Sequence, residues 1–379
     1  MLYCNLGIAQ GKKWSVQFAV LPGKLLKHSE KMKFIPSGYS KFMELDLAYQ
    51  TQGKKRWERY YHYPRIGFGF RYLDFGAPVN VLGKGVSFYP YLDLGFFQRA
   101  NFSGRFIIAC GLAYLDHPFH IKNNPLQTAI GSKWNNLTNF QLRFEHKFLQ
   151  NKLLYTGVSL SHISNGAYQA PNLGLNFLSV ILGLAFDSHR PVDDFRSGKI
   201  VKEDFSRNLT KFSFSVETGL TLKEIRIPGG PKYLISWYML DAGYQYNDFK
   251  SWRLSLDIEK NHLASYFSDY TELKPNKKSA SKDGLRLNAY LAHQWLFGNI
   301  GLTIRTGYQF LRKISLDDYP VVTKLDLSYI VPYSIKNTIK PYVGVSLKTH
   351  FGTAEYIGLM AGLRIHNEKR MQAMSQNLF

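Results

Sequence analysis

The stretch Leu153-Leu154-Tyr155-Thr156-Gly157-Val158-Ser159-Leu160-Ser161-His162-Ile163-Ser164-Asn165-Gly166 decides how the rest of this chain is read. Its apolar residues recur at every second position, the period of a β-strand. One face carries Leu154, Thr156, Val158, Leu160, His162 and Ser164; the other carries Tyr155, Gly157, Ser159, Ser161 and Ile163. An apolar face thus ends in an imidazole and a hydroxyl two residues apart. Such neighbours stand about 7 Å apart at Cβ, near enough for a rotamer choice to bring the ring to the hydroxyl. A general base beside a hydroxyl is the minimal activated nucleophile. After the loop segment Pro171-Asn172-Leu173-Gly174-Leu175-Asn176, the residues Asn176, Leu178, Val180, Leu182, Leu184 and Phe186 again share one apolar face. Polar groups therefore gather where two greasy strand faces meet a loop.

On spacing alone, a His-x-Ser pair on a strand is more often a surface pair than a catalytic one. The wider motif is more specific. His-x-Ser-Asn-Gly followed by Pro-Asn-x-Gly resembles the lipid A 3-O-deacylase (PagL)-like acyloxyacyl hydrolase family of outer-membrane β-barrel esterases. The resemblance is specific over residues 155 to 176 and architectural over 13 to 187. It implies that Ser164 is the nucleophile, His162 the general base and Asn172 an oxyanion-hole contributor. A nearby backbone N–H such as that of Gly166 would share the oxyanion, with Asn165 in support. The family's Glu falls on Asn176, a departure: Asn can orient an imidazole but cannot balance imidazolium charge. Cys-His-Asn hydrolases work with a neutral orienter. The implied substrate is a fatty-acyl ester of lipid A or lipopolysaccharide, cleaved at the outer leaflet of a bacterial outer membrane without metal or cofactor.

Composition agrees with many short strands: 379 residues include 25 Tyr, 27 Phe and 31 Gly. No run of about 18 apolar residues occurs, so no transmembrane helix is expected. A slightly negative mean hydropathy is compatible with a barrel, since only alternate residues face lipid. The formal net charge of +21 asks for an anionic partner. Lys and Arg are scattered among strand ends and loops rather than gathered into one patch, which favours an anionic lipid surface over nucleic acid. Two cysteines, Cys4 and Cys110, make no disulfide framework. Asp116-His117-Pro118-Phe119-His120 meets no metal-ligand spacing rule. The basic, aromatic run Lys54-Lys55-Arg56-Trp57-Glu58-Arg59-Tyr60-Tyr61 reads as an interfacial girdle at a barrel rim.

Taken in order, the chain reads as an all-β transmembrane antiparallel barrel protein of about sixteen strands. The first eight are Trp14–Leu26, Tyr39–Tyr49, Tyr63–Phe75, Gly85–Gln98, Gly104–Leu115, Leu137–Leu149, Lys152–Ser164 and Asn176–Asp187. Long connections follow the first, third, fifth and seventh, which places the His162–Asn176 loop outside. Eight more strands follow between Lys211 and Ile365. Residues 1–11 read as the remnant of a signal peptide (Gly7-Ile8-Ala9), 12–187 as a barrel carrying the site, and 188–209 as a linker. Residues 210–366 read as a degenerate second repeat and 367–379 as a tail. The repeat is visible in sequence: Tyr155–Leu160 and Tyr342–Leu347 agree at five of six positions. In that register His162 corresponds to Thr349 and Ser164 to Phe351, so the copy lacks the pair. Two eight-stranded barrels in tandem are expected, with one sixteen-stranded barrel as the alternative. The expected function is an outer-membrane serine esterase; the alternative is a non-catalytic barrel, pore or envelope scaffold, keeping the motif as a relic. The oligomeric state stays open.

Overall fold

In a computed structural model, residues 13–99, 101–149, 151–187, 212–271, 284–311, 319–335, 338–350 and 353–366 are described. Their strands form two closed antiparallel barrels of eight strands each, not one of sixteen. The first comprises β1 (Trp14–Leu26), β2 (Ser40–Gln50), β3 (Arg65–Asp74), β4 (Lys84–Gln98), β5 (Phe102–Leu115), β6 (Trp134–Leu149), β7 (Lys152–Ser164) and β8 (Leu175–Asp187). The second comprises β9 (Phe212–Glu224), β10 (Lys232–Asn247), β11 (Lys250–Asn261), β12 (Leu285–Phe297), β13 (Ile300–Leu311), β14 (Val321–Ile330), β15 (Ile339–His350) and β16 (Thr353–His366). Short helices α1 (Arg56–Tyr60), α2 (Val79–Leu82) and α3 (His262–Thr271) lie in connections. The segments read as a leader remnant (1–11), linker (188–209) and tail (367–379) lie outside the described residues.

Each barrel closes through its first and last strands. β1 pairs with β8 from Ser15↔Asp187 to Leu26↔Asn176, and β16 pairs with β9 from Leu359↔Leu220 to His366↔Ser213. Closure removes the open edge that would otherwise recruit another strand. The alternation is inside out relative to a soluble protein. On β2 the outward residues are Met43, Leu45 and Leu47, all exposed, while Glu44 and Asp46 point inward and are buried. That pattern requires an apolar solvent outside, which is what a bilayer supplies.

The interiors are filled by charge pairs. In the first barrel Arg71 and Arg143 both bond Glu44, Arg65 bonds Glu145 at 2.7 and 3.1 Å, and Arg105 bonds Asp93 at 2.5 Å. In the second, Arg305 joins Asp241 at 2.5 Å and Asp326 at 2.6 Å, and Lys348 joins Glu259 at 2.7 Å. Buried charges are tolerated only when paired in this way. A void beside Asp241 and Arg305 measures about 10 Å³, room for about one water at most. The inward side chains Glu44, Arg71, Asp257 and Lys348 are almost fully buried, the packed interior expected at eight strands.

Aromatic pairs mark both ends of the first barrel. Trp14 and Tyr49 meet at 5.1 Å near the end where β1 begins; Tyr114 and Trp134 meet at 5.2 Å at the opposite end. Such girdles sit at the two membrane–water interfaces. Connections at the Trp134 end span residues 27–39, 75–83, 116–133 and 165–174, whereas two of the three at the other end are tight. The third, the basic segment after β2, folds back through α1, where Arg59 Nη1 donates to the Gly53 carbonyl at 2.5 Å. One strand differs from the sequence reading in a way that matters. β6 begins at Trp134 rather than Leu137, because Asn135 and Asn136 continue the ladder instead of ending it.

Candidate active site

β7 and β8 form the hairpin whose loop carries the polar cluster, and their register places His162 directly opposite Asn176. Directly opposed side chains in an antiparallel pair stand about 5 Å apart at Cβ. The His162 Nδ1 to Asn176 Oδ1 contact is accordingly short, 2.6 Å. The other ring nitrogen, Nε2, lies 2.9 Å from Ser164 Oγ. An amide oxygen only accepts, so Nδ1 carries the hydrogen and Nε2 presents its lone pair to the hydroxyl. Both residues continue the outward row of Leu154, Val158 and Leu160, each at least 46% exposed. His162 is half-buried and Ser164 is buried.

The loop is built around this pair. Asn172 Oδ1 accepts the Asn165 backbone N–H at 3.0 Å, which leaves the Asn172 Nδ2 hydrogens as that side chain's donors. Asn165 Nδ2 donates to Ser132 Oγ at 2.9 Å, tying the residue after the serine to the β5–β6 loop. Gly166 follows with a left-handed φ of 61°. Gly174 has φ 81°, and a Cβ there would stand 2.7 Å from His162 Cε1. Only glycine meets both demands. Its N–H donates to the Ala129 carbonyl at 2.9 Å. From the β1–β2 loop, His28 Nε2 donates to the Leu173 carbonyl at 2.9 Å.

The structure thus brings together His162, Ser164 and Asn176, and separately Asn165 and Asn172. It also adds residues that the sequence reading passed over. Because β6 starts early, Asn136 pairs with Ser164 and Thr138 with His162. Thr138 Oγ1 donates to Asn136 Oδ1 at 2.8 Å, and Asn136 Nδ2 donates to the Gly111 carbonyl at 3.1 Å. Trp134, Asn136, Thr138, Phe140 and Leu142 do alternate in sequence, but two polar members hid the period. No group of His, Cys, Asp and Glu able to hold a metal occurs among the described residues.

Residues 43–185 match the family model of lipid A 3-O-deacylase (PagL), and residues 208–367 match that of the acyloxyacyl hydrolase C-terminal domain. The chain belongs to the PagL-like acyloxyacyl hydrolases. These are outer-membrane hydrolases of acyl esters, and lipid A deacylation is the activity that membership carries. The second barrel, for which the sequence suggested a degenerate copy, has a family match of its own. No protein of curated function matches this PagL-like chain. Among solved structures, Neisserial surface protein A (NspA) is similar over 46% of this chain and 97% of its own, at 11% identity and a TM-score of 0.34. Acinetobacter baumannii OccAB4 is similar over 94% and 99%, at 8% identity and a TM-score of 0.25.

Proposed function

We propose that this PagL-like hydrolase is a serine esterase that cleaves a fatty-acyl ester of lipid A at the outer leaflet. The observation that carries the reading is the Asn176–His162–Ser164 relay, with contacts of 2.6 and 2.9 Å at the end of the outward row of β7. Ser164 Oγ attacks the ester carbonyl as its proton passes to His162 Nε2. Asn176 Oδ1 keeps the ring in the required tautomer. The tetrahedral oxyanion is held by Asn172 Nδ2 and the Gly166 N–H, and Asn165 positions Asn172. Collapse expels the sugar hydroxylate, which takes the proton from His162. Water, activated by the same ring, then attacks the acyl-enzyme and releases the fatty acid and Ser164.

Depth in the membrane supports the substrate. Asn136, opposite Ser164, is the next outward residue after Trp134 of the aromatic girdle. Ester linkages of a glycolipid lie at that interface, with the acyl chains below against Val158, Val180 and Leu154. The test is fatty-acid release from lipopolysaccharide by the purified chain in detergent. Ser164→Ala and His162→Ala should each lower the rate more than about 100-fold, the usual contribution of a general base. Unchanged release in either variant removes that residue from the chemistry.

A further inference from the structure

The rim of the first barrel carries a pocket of about 170 Å³ whose lining includes Lys24, Leu25, Ser37, Gly38, Tyr39 and Phe75. None of its lining residues is acidic. Lys24 lies in the outward row of β1 between Pro22 and Leu26, a row otherwise apolar at Val16, Phe18, Val20 and Leu26. Its ammonium lies 5.1 Å from the centre of the Tyr39 ring. Among the described residues it makes no ion pair, in contrast to Lys324 and Lys348 inside the second barrel, which sit 2.5 and 2.7 Å from carboxylates. Ser37, which also lines the pocket, is fixed in its backbone by reciprocal bonds with Ala77 of 3.0 and 3.1 Å. Space at Gly38 is open: a Cβ there would meet nothing within 4 Å.

The pocket shares a face with the candidate nucleophile. Lys24 pairs with Leu178 and Leu178 with Leu160, while His162 lies two residues further along β7. His162 is thus offset from Lys24 by about 10 Å across two strand spacings and about 7 Å along the strand, and Ser164 by about 13 Å along it. We propose that this pocket binds the phosphate monoester of the glycolipid substrate, with Lys24 and Ser37 as donors and the sugar bridging to Ser164. The assignment rests on the reading of Ser164 as nucleophile only for the bridge. An ammonium with three N–H donors, a hydroxyl and no competing carboxylate is a fitting environment for a phosphate dianion.

The test reads binding on the Ser164→Ala full chain in detergent, so that turnover plays no part. Adding Lys24→Gln to that chain should weaken binding to mixed micelles of bisphosphorylated lipid A about tenfold, the loss of one charge-assisted contact. Lys24→Arg should recover most of the affinity. Micelles of phosphatase-treated lipid A should be bound equally well with and without Lys24→Gln. Equal loss on both lipids, or no loss on either, overturns the assignment of the pocket to the substrate's phosphate. Saturable binding of inorganic phosphate that Lys24→Gln abolishes, without any difference between the lipids, would assign the pocket to free phosphate and overturn the substrate assignment. Failure here leaves the Ser164 chemistry standing, and a wild type without hydrolysis leaves the phosphate site standing.

Discussion

Two asparagines at the site are used in opposite senses. Asn176 presents its oxygen to a ring N–H. Asn172 gives its oxygen to the Asn165 backbone, which leaves its nitrogen as the donor proposed to meet the oxyanion. The same substitution should therefore have opposite effects. Asn172→Asp preserves the anchor to Asn165 but replaces the donor with negative charge beside a developing oxyanion, so kcat should fall about 10²- to 10³-fold. Asn176→Asp preserves the acceptor and adds charge that stabilises the imidazolium, so kcat should hold or rise by up to about tenfold. Asn176→Leu removes the acceptor and should cost at least about tenfold through loss of the tautomer. Fatty-acid release from lipopolysaccharide measures all three, and a matching fall in both Asp variants contradicts the assigned roles.

Among the elements, the β7–β8 hairpin fixes the geometry through Gly174 as much as through its strands. Gly174→Ala adds strain at φ 81°, about 1–2 kcal/mol, and also drives a methyl group toward His162 Cε1. Gly229 has nearly the same φ, 77°, with nothing within 4 Å of an added Cβ. Gly229→Ala should leave hydrolysis unchanged, whereas Gly174→Ala should lower kcat at least about tenfold with the barrel intact. Heat-modifiable gel mobility reports the barrel, and equal activities in the two variants would show that the imidazole tolerates the methyl. The hairpin strands were legible in the sequence because each has one apolar and one small or polar face; β7 runs from Lys152 to Ser164 as its alternation implies. The proximity of His162 to Ser164 was legible for the same reason. The start of β6 was not, since Asn135-Asn136 has the composition of a turn and only pairing with β7 makes it strand. Asn136, Thr138 and His28 were missed because their nearness to the site is set by register and loop packing, which no local pattern carries.

For the whole molecule, strand count alone could not distinguish one barrel from two, because closure is a pairing between residues far apart in sequence. The contact that decides it is β1 against β8, in register from Ser15↔Asp187 to Leu26↔Asn176. With that seam made, the first barrel leaves no unpaired edge, and its interior charges find their partners within the same eight strands: Arg65 with Glu145, Arg105 with Asp93, Arg71 and Arg143 with Glu44. A fragment covering residues 12–187 therefore contains every pairing its barrel needs, together with His162, Ser164, Asn172 and Asn176. It should insert into detergent micelles as a heat-modifiable barrel and release fatty acid from lipopolysaccharide at a rate within about tenfold of the full chain. A one-barrel protein of sixteen strands would behave differently: half of it would expose two long open edges and aggregate. Aggregation of the fragment under conditions in which the full chain folds would therefore contradict separate closure. A folded but inactive fragment would instead assign the second barrel a direct part in hydrolysis.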